Sequence, residues 1–500
     1  MKKLFVLFLT AVFLIGIITS FNAQAAEFSV YSTTQFLNKV KTQGRTAVVD
    51  NTLMLDWSAS GIEFNADCSG DVLITVNTSR IKGGTKGGLY FTVIVDGVVQ
   101  YENKRVPEDN NGSSWTSNST GYPFHITKTG ESIFTIARNL SKGKHNFKIY
   151  NQTEAHHGTF GIKSISLNGK FTAPPKNNDL YIEFVGDSII AGLGNISKGG
   201  QNQEDPLYQD ATRGWAYLTA NKLKADWSVV ARSGITAGNG FGWSGAASVS
   251  MQKVYPKERY YSDEILPYAF ERQPDVIVLG LGTNDMWTYS NYGATINDVK
   301  IGFKDILDLI RNHNPQSKIV WVYGMMTNSA NDLVKQAVSD LGGSEKEYYT
   351  LELPTNTYGG QGHPDINAQT VYAEKVSKYI NQLLNRNITE DNLSSNISSD
   401  TVSSNLQQNS TTPNQPQNNT TSTYPSVNVS SGTSSQNNES NDDKNNSVEN
   451  TNQETTKEQK NIFLLFIIIG IILIIVIVFV LVTIRLKKKE KRISYHYNNP

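Results

Sequence analysis

The chain has 500 residues, which predicts two or more domains because a single hydrophobic core rarely serves so many residues. Lysine and arginine number 45, as do aspartate and glutamate, and this balance gives no basic field of the kind that binds nucleic acid. The only cysteine, Cys68, excludes an internal disulfide framework and a cysteine-rich metal cluster, and we expect it to be a small apolar residue within a strand.

Residues 1–25 have the pattern of a secretory signal peptide. A short basic start precedes an apolar run, and the run ends in the small residues Ala23-Gln24-Ala25. That ending favours cleavage over a retained membrane helix. The sequence therefore predicts that the rest of the chain enters the export pathway.

Residues 26–172 are typical of β structure. Short runs rich in β-branched and aromatic residues alternate with glycine and aspartate turns. One pair of runs indicates a hairpin around Asp96-Gly97, a preferred two-residue turn, and a later pair indicates a hairpin around Lys142-Gly143. Short strands at this spacing predict a β-sandwich of jelly-roll type.

The composition changes after residue 172. Residues 173–178 are rich in proline and asparagine and are predicted to be an inter-domain linker. In residues 179–386, apolar strands alternate with amphipathic helices, which predicts a three-layer α/β/α domain with a parallel sheet. The predicted strands have the sequences YIEFVG, WSVVA, DVIVLGL and KIVWVYGM, and the predicted helices cover residues 213–224, 297–312 and 367–385. Such sheets bind ligands at the carboxyl ends of their strands.

The C-terminal part of the chain has three segments with different properties. Residues 387–460 are dominated by Ser, Thr, Asn and Gln, and so few apolar side chains predict a disordered stalk. Residues 461–484 are uncharged and long enough to cross a bilayer as a transmembrane helix. The basic tail, residues 485–500, is expected on the cytoplasmic side. The expected location is the cell surface, as a single-pass membrane protein with an extracellular N-terminal ectodomain.

Candidate catalytic residues follow three consecutive predicted strands of the α/β region. Ser188 follows the first strand, Gly234 the second and Asn284 the third. Because parallel strands end at one edge of a sheet, these three residues are expected to lie near one another. A serine hydroxyl, a backbone N–H and a side-chain amide can supply a nucleophile and an oxyanion hole. Asp285 is expected to cap the segment that follows.

A general base for Ser188 is sought among the seven histidines. Four of them belong to the β region, and His496 lies in the predicted cytoplasmic tail. His313 precedes the fourth predicted strand, which places it at the opposite edge of the sheet. His363 stands in a loop before the last predicted helix, where it can reach over the strand ends. We therefore predict His363 as the general base.

Four short motifs resemble the four blocks of SGNH-type esterases. They are GDS (186–188), SGIT (233–236), GTND (282–285) and GHP (362–364), in this order. With the β region in front, where DWSASGIEF and VIVDG contribute to the likeness, the chain resembles carbohydrate esterase family 2 over about residues 45–385. That family joins a jelly roll to a flavodoxin-like SGNH hydrolase domain, and the resemblance implies this fold.

The resemblance also implies a role for each site residue. Ser188 would attack an ester carbonyl, with His363 acting as general base and then as general acid. The N–H groups of Ser188 and Gly234 and the side-chain amide of Asn284 would hold the oxyanion. We expect no metal and no cofactor, since the sequence contains no H-E-x-x-H signature and no evident ligand cluster.

The carboxylate that commonly precedes the histidine of SGNH enzymes by two or three residues is missing. Gln361 and Gly360 occupy those positions. Family 2 includes members with a Ser–His dyad in which a backbone carbonyl orients the imidazole, and we favour this arrangement. Asp365, two residues after His363, is the alternative orienting group.

Other residues near the predicted site have two interpretations. Trp287 and Trp243 are candidates for stacking on a sugar ring, and packing within their own loops is the alternative. Trp57 is expected in the core of the β region. The neighbouring histidines His156 and His157 are expected to line the interface between the two domains beside the active site.

These observations predict a membrane-anchored extracellular carbohydrate esterase that deacetylates a polysaccharide such as xylan or glucomannan through a serine acyl-enzyme. Two alternatives are open at this point. One is a surface glycan-binding protein whose SGNH domain has lost activity, and the other is an SGNH esterase for a lipid, a thioester or acetylated peptidoglycan. The expected partners are acetylated polysaccharide and the membrane, and nucleic acid is not expected.

Overall fold

The structure is a computed structural model that describes residues 28–81, 87–102, 123–197, 206–238, 250–260 and 267–386. Residues Met1–Ser403 belong to one compact unit and residues Ser404–Pro500 to a second, which lies outside the described residues. The predicted signal peptide, stalk, transmembrane helix and basic tail also lie outside them. No helix in the described ranges is long and apolar enough to cross a bilayer.

The N-terminal region is built from ten strands among the described residues, all paired antiparallel. The strands are β1 Ser29–Ser32, β2 Val40–Gln43, β3 Ala47–Val49, β4 Thr52–Met54, β5 Gly61–Ser79, β6 Leu89–Val95, β7 Val98–Gln100, β8 Phe124–Ile126, β9 Gly130–Asn151 and β10 Thr159–Phe171. Their order is β3-β4-β10-β5-β9-β6-β7, with β1 on β10, β2 on β5 and β8 on β6. A short helix, α1 (Thr33–Phe36), follows β1.

The antiparallel sheet folds back on itself around an aromatic core. In the sheet, β5 and β9 separate β6 from β10, which would place the outer two about 14 Å apart in a flat sheet with the usual strand spacing. The rings of Phe91 on β6 and Phe160 on β10 nevertheless stack with their centroids 5.4 Å apart. Two layers of strands therefore enclose one core, and the predicted β region is confirmed. The jelly-roll connectivity stays a prediction.

One predicted hairpin is confirmed and the other is wrong. β6 pairs with β7 across Asp96-Gly97, whose φ angles of 52° and 83° suit a two-residue type I′ turn. Lys142-Gly143 instead lies inside β9, a single strand of 22 residues that pairs along β5. Asn139, with a φ of 52°, lies where the register of this pair shifts. The turn-forming residues therefore bend the strand without reversing it.

The α/β region contains five described strands, all parallel, in the order β12-β11-β13-β14-β15. The strands are β11 Tyr181–Gly186, β12 Asp226–Ala231, β13 Val276–Gly280, β14 Lys318–Tyr323 and β15 Tyr348–Glu352. The helices of this region are α2 Ser188–Ala191, α3 Trp215–Leu223, α4 Met251–Val254, α5 Thr283–Asn291, α6 Ile296–His313, α7 Asn331–Asp340 and α8 Ile366–Leu383. The predicted α/β region with its parallel sheet is confirmed.

Alternate side chains of the central strands enter two separate cores. On β11, Ile182 and Phe184 pack with α3 and α8, whereas Val185 packs on the other face with α6 and α7. The ring of Phe303 on α6 lies 4.8 Å from the ring of Trp321 on β14. Burial of one such side chain contributes roughly 1.5–3 kcal/mol. Helices thus cover both faces of the sheet, and the loops after the strands remain available for a site.

The β region and the α/β region pack against each other through buried polar contacts. Arg45, which follows β2, forms a buried ion pair with Glu183 of β11 at 3.1 Å. The guanidinium of Arg45 also lies 4.8 Å from the centre of the Tyr255 ring. The indole N–H of Trp57 donates to a backbone carbonyl of the α/β region at 2.7 Å, so this tryptophan is buried at the interface.

Candidate active site

Ser188 lies in the turn that directly follows β11. The carboxylate of Asp187 accepts the N–H of Ile189 at 3.0 Å and caps α2, so Ser188 is the first residue of that helix. Gly186 is needed before it because a Cβ there would lie 2.5 Å from the carbonyl oxygen of Gly280 on β13. Strand and turn together hold the Ser188 hydroxyl at the carboxyl edge of the sheet.

A hydrogen bond joins Ser188 to His363 across 175 residues of sequence. The imidazole Nε2 of His363 is 2.7 Å from Ser188 Oγ, and its Nδ1 is 3.1 Å from the carbonyl oxygen of Gly360. A proton on Nδ1 satisfies both contacts, since Nδ1–H then donates to the carbonyl and Nε2 accepts from the hydroxyl. The structure therefore brings the predicted nucleophile and the predicted base together in the orientation that proton transfer requires.

The loop that carries His363 is attached to the turn after α2. The N–H of Gly360 donates to the carbonyl of Gly194 at 2.9 Å, and the N–H of Gly359 donates to the carbonyl of His363 at 2.7 Å. Gly194 has a φ of +67°, and a Cβ at this position would lie 2.5 Å from the Gly360 carbonyl oxygen. Gly360, whose carbonyl orients the imidazole, is therefore held by a close backbone contact with residue 194 that only glycine permits.

Burial lowers the pKa of the His363 imidazole below its usual value, although the Gly360 carbonyl and the negative charge of Glu154 raise the pKa in the opposite direction. Both side chains of the pair are almost inaccessible to solvent, His363 with 7% and Ser188 with 6% of its surface exposed. The imidazole is consequently neutral at neutral pH, which is the form that accepts a proton from serine.

Asp365 does not take the alternative role as the group that orients the imidazole. Its carboxylate accepts the N–H of Ala368 at 3.0 Å and caps α8, while its own N–H donates to Asn356 Oδ1 at 3.0 Å. The carboxylate of Asp365 bonds to the start of the helix because the first N–H groups of a helix lack partners within it. The Gly360 carbonyl occupies Nδ1 of His363 instead, as in the dyad arrangement.

The two other predicted oxyanion-hole residues follow β12 and β13 at the same edge. Gly234 has a φ of +77°, a left-handed conformation that favours glycine. The side-chain Nδ2 of Asn284 lies 3.0 Å from the carbonyl oxygen of Ile235 and 3.4 Å from Asp187 Oδ2. Asn284 is thus tied to the loop that carries Gly234, and the structure places both near the turn of Ser188.

Asp285 is not the helix cap that the sequence suggests. Its buried carboxylate accepts the N–H groups of Ala237 and Gly238 and so holds the loop after β12. Burial raises the pKa of Asp285 to about 6. Burial also raises the pKa of Asp187 to about 7, with further repulsion from Asp285 and Glu154.

In the described part of the chain, no group of three or more His, Cys, Asp or Glu could hold a metal ion.

Glu154 is a buried neighbour of the site that the sequence interpretation missed. It belongs to the β region, after β9, yet its carboxylate contacts Ser233 beside Gly234. In the sequence, Glu154 is marked only by its position two residues before His156. In the structure, His156 Nδ1 lies 3.6 Å from Glu154 Oε2. His156 lies in a short 3₁₀ turn, Ala155–His157, at the interface of the two regions.

The three tryptophans considered from the sequence differ in their surroundings. Trp57 is buried, with 2% of its surface exposed, but it packs at the interface with side chains of the α/β region and not in the core of the β region as expected. Trp287 lies on α5 with 52% of its surface exposed, so it does not pack within a loop core. Trp243 lies outside the described residues. Of the two tryptophans that the structure describes, Trp287 is the one placed to meet a ligand from solution.

Residues 184–402 match the GDSL-like Lipase/Acylhydrolase family. The matched range contains Ser188, Gly234, Asn284 and His363, the residues that the structure gathers at one edge of the sheet. The chain therefore contains a GDSL-like SGNH hydrolase domain, which confirms the resemblance inferred from the four motifs.

Two relatives have names that include an esterase activity. The chain is 27% identical over 340 residues to cellulase/esterase CelE of Acetivibrio thermocellus, a match that covers 66% of this chain and 37% of CelE. It is 24% identical over 274 residues to an acetylxylan esterase / glucomannan deacetylase of Cellvibrio japonicus, covering 52% of this chain and 75% of that protein. The chain thus spans little more than a third of the length of CelE.

Two solved structures share the combination of a β-rich region and an α/β domain. A family two carbohydrate esterase from Clostridium thermocellum, in complex with cellohexaose, has a TM-score of 0.59 and 25% identity, over 69% of this chain and 99% of that one. An acetyl xylan esterase from Butyrivibrio proteoclasticus has a TM-score of 0.60 and 20% identity, over 72% of this chain and 99% of that one. The second likeness bears on the fold alone.

Proposed function

We propose that this chain, which contains a GDSL-like SGNH hydrolase domain and resembles family 2 carbohydrate esterases, removes acetyl groups from a polysaccharide. The observation that carries the proposal is the 2.7 Å contact between Ser188 Oγ and His363 Nε2. A serine within hydrogen-bond reach of a neutral base is the arrangement that an acyl-enzyme mechanism requires. A glycan-binding protein that had lost its activity would have no need for this pair, so we favour the enzyme.

In the first half of the reaction, Ser188 Oγ attacks the ester carbonyl carbon while His363 Nε2 accepts the hydroxyl proton. The carbonyl oxygen becomes an oxyanion, which the N–H groups of Ser188 and Gly234 and the amide of Asn284 are proposed to hold. Loss of one such donor raises the barrier by about 3–4 kcal/mol. The bond from the carbonyl carbon to the sugar oxygen then breaks, and His363 gives its proton to that oxygen.

In the second half, a water molecule attacks the acetyl group on Ser188, and His363 accepts a proton from the water. The bond to Ser188 Oγ breaks, His363 returns the proton to the serine, and acetate leaves with its own proton released to solvent. The carbonyl of Gly360 is neutral and stabilises the transient imidazolium less than a carboxylate would. We therefore expect a modest turnover.

The proposed substrate is an O-acetylated polysaccharide of the xylan or glucomannan type. Support comes from the name of the Cellvibrio japonicus relative and from the cellohexaose bound to the Clostridium thermocellum structure. The half-exposed indole of Trp287, on the helix that carries Asn284, could offer a flat apolar face to a sugar ring.

The proposed location of this activity is the outer surface of the cell. The signal-like residues 1–25, the apolar residues 461–484 and the basic residues 485–500 support this proposal. The polar residues 387–460 would then act as a stalk between the membrane and the domain that meets the polysaccharide.

Acetate release tests the proposed function directly. The full-length chain and the variant Ser188→Ala are incubated with acetylated xylan, acetylated glucomannan, acetylated peptidoglycan and a short-chain lipid ester. We expect acetate from one or both plant polysaccharides with the unchanged chain and none with the variant. Equal release of acetate by both proteins would refute the esterase proposal. Release from peptidoglycan or the lipid ester alone would show that the substrate is not a plant polysaccharide.

A further inference from the structure

The carboxylate of Glu154 crosses from the β region to the loop after β12. Its Oε2 accepts the N–H of Ser233 at 2.6 Å, and its Oε1 accepts the hydroxyl of the same serine at 2.5 Å. Only 2% of the Glu154 surface is exposed. One carboxylate therefore holds both the backbone and the side chain of Ser233, a residue of another region of the chain.

Glu154 makes these contacts as an anion. Burial by itself would raise its pKa, but the nearby imidazole of His156 and the two bonds from Ser233 outweigh burial and lower the pKa to about 2. Gln209 Nε2 also donates to Oε1, at 3.1 Å. A buried carboxylate with this number of donors is held firmly, because loss of any one contact would leave charge without compensation.

The segment that carries Glu154 is itself held against both regions. The carbonyl of Gln152 accepts the N–H of Ala211 in the α/β region at 3.0 Å. Asn151, the residue before Gln152, donates from its Nδ2 to the carbonyl of Leu55 in the β region at 2.9 Å. The segment that carries Glu154 is thus fixed by hydrogen bonds to both regions.

Ser233 directly precedes Gly234, one of the predicted oxyanion-hole residues. Its carbonyl accepts a bond from Arg232 Nη1 at 3.3 Å, and the same peptide unit carries the N–H of Gly234. Two residues after Ser233, the carbonyl of Ile235 holds Asn284 Nδ2 at 3.0 Å. The conformation of this loop consequently sets both the direction of the Gly234 N–H and the place of the Asn284 amide.

We propose that Glu154 is a positioning residue through which the β region shapes the oxyanion hole of the α/β domain, an inference that rests on the proposed function. Glu154 holds Ser233, and the Ser233 loop carries the Gly234 N–H and holds the Asn284 amide. Since an oxyanion hole acts only when its donors are already directed at the developing charge, loss of Glu154 reduces the rate of the chemical step more than it reduces binding.

The test compares kcat and KM of full-length variants with 4-nitrophenyl acetate. Glu154→Ala is expected to lower kcat about 10- to 100-fold, somewhat less than removal of a donor, with KM changed less than about twofold. Glu154→Gln keeps the length and can still accept the Ser233 N–H and donate to the Ser233 hydroxyl, so kcat is expected within about tenfold of the unchanged chain. This partial rescue would not follow if the position served stability alone.

Two further variants separate a specific coupling from a general loss of packing. Ser233→Ala removes the hydroxyl that Glu154 holds, and the double variant with Glu154→Ala is expected to lose little more kcat than Glu154→Ala alone. Lys41→Gln removes a different contact between the regions, the 2.5 Å ion pair with Asp226 at the start of β12, and is expected to leave kcat unchanged. Melting temperatures of all variants identify any that fail to fold.

The outcomes distinguish this inference from the proposed function. If the unchanged chain hydrolyses 4-nitrophenyl acetate and folded Glu154→Ala keeps full kcat or changes only KM, the inference is overturned and the esterase proposal stands. If kcat falls as expected but no polysaccharide yields acetate, the inference stands and the substrate proposal fails. If the unchanged chain hydrolyses no ester, both are refuted.

Discussion

The imidazole of His363 is bonded through both nitrogens, to Ser188 Oγ at 2.7 Å and to the Gly360 carbonyl at 3.1 Å. At the residue scale this leaves no open position at Nδ1 for a carboxylate. Asp365 lies two residues further along, but its carboxylate oxygen accepts the N–H of Ala368 at the start of α8. The neutral carbonyl sets the tautomer, and the hydrogen bond rather than a charge pair orients the ring.

Asp365→Ala is expected to lower the free energy of unfolding by about 1 kcal/mol and to leave kcat unchanged, because the variant loses a helix cap and no catalytic contact. Asp365→Asn keeps an acceptor for the Ala368 N–H and serves as the matched control, with most of the stability retained. Denaturant unfolding and kcat with 4-nitrophenyl acetate measure the two effects. A large fall of kcat in Asp365→Asn would mean that the carboxylate takes part in catalysis.

The pH dependence of kcat/KM should reflect the lowered pKa of His363. Catalysis needs the neutral imidazole, and a pKa below the usual 6.5 keeps the ring neutral in more acidic solution. We therefore expect kcat/KM to remain high at about pH 6.5 and to fall only at lower pH. Rates between about pH 4 and pH 8 would show this, and an acidic midpoint at or above about pH 6.5 would contradict it.

At the element scale, the site depends on contacts between turns rather than within helices. The turn after α2 and the loop before α8 meet through the 2.9 Å bond from the Gly360 N–H to the Gly194 carbonyl. Because Gly360 also orients His363, the distance between these two segments determines how well the imidazole faces Ser188. Substitutions in the turn should therefore act on catalysis without touching either catalytic side chain.

Gly194→Ala is expected to lower kcat at least tenfold and to destabilise the fold by about 1–3 kcal/mol. Its Cβ would lie 2.5 Å from the Gly360 carbonyl oxygen and push the orienting group away. Gly293→Ala is the matched control, since Gly293 has a similar φ of +75° with nothing within 4 Å of the added carbon. We expect the control to lose about 1 kcal/mol from backbone strain and to keep its kcat. Equal kcat in both variants would show that the turn does not position the histidine.

At the scale of the whole molecule, the described β and α/β regions depend on each other. Arg45 of the β region pairs with Glu183 of the central strand, and the indole of Trp57 reaches a carbonyl of the α/β region. Buried charges of this kind are stable only while both partners are present. The two regions are therefore expected to unfold in one transition rather than separately.

Arg45→Met is expected to lower the free energy of unfolding by about 3–5 kcal/mol, because it leaves the carboxylate of Glu183 buried without its partner. The double variant with Glu183→Leu should recover part of this loss, since no lone charge then remains. Denaturant unfolding followed by tryptophan fluorescence and by far-UV circular dichroism measures both the stability and the number of transitions. A loss below about 1 kcal/mol, or two separate transitions, would contradict the expectation.

Several elements of the described structure differ from what the sequence predicts. The strand β15 lies at the edge of the sheet and is half-buried, so it lacks the continuous apolar run of the central strands. The helix α5 buries only Asp285 and Thr288 and shows no apolar stripe. The turn at Lys142-Gly143 becomes part of a bent strand because β5 pairs with β9 on both sides of it. The first two elements thus carry little apolar signal, and in the third, pairing with a distant strand overrides the local turn pattern.

The amino-acid sequence by itself determined the alternation of strands and helices, and with it the edge of the sheet where Ser188 and His363 had to be sought. Hydrophobic periodicity is a local property of the sequence. The shared edge of the sheet follows from it, because parallel strands all end on the same side. Only the tertiary structure decided that Gly360 rather than Asp365 faces the imidazole, and that Glu154 of the β region holds the loop of Gly234. These contacts depend on the direction of hydrogen bonds between segments far apart in the chain. Those directions cannot be read from the order of residue types.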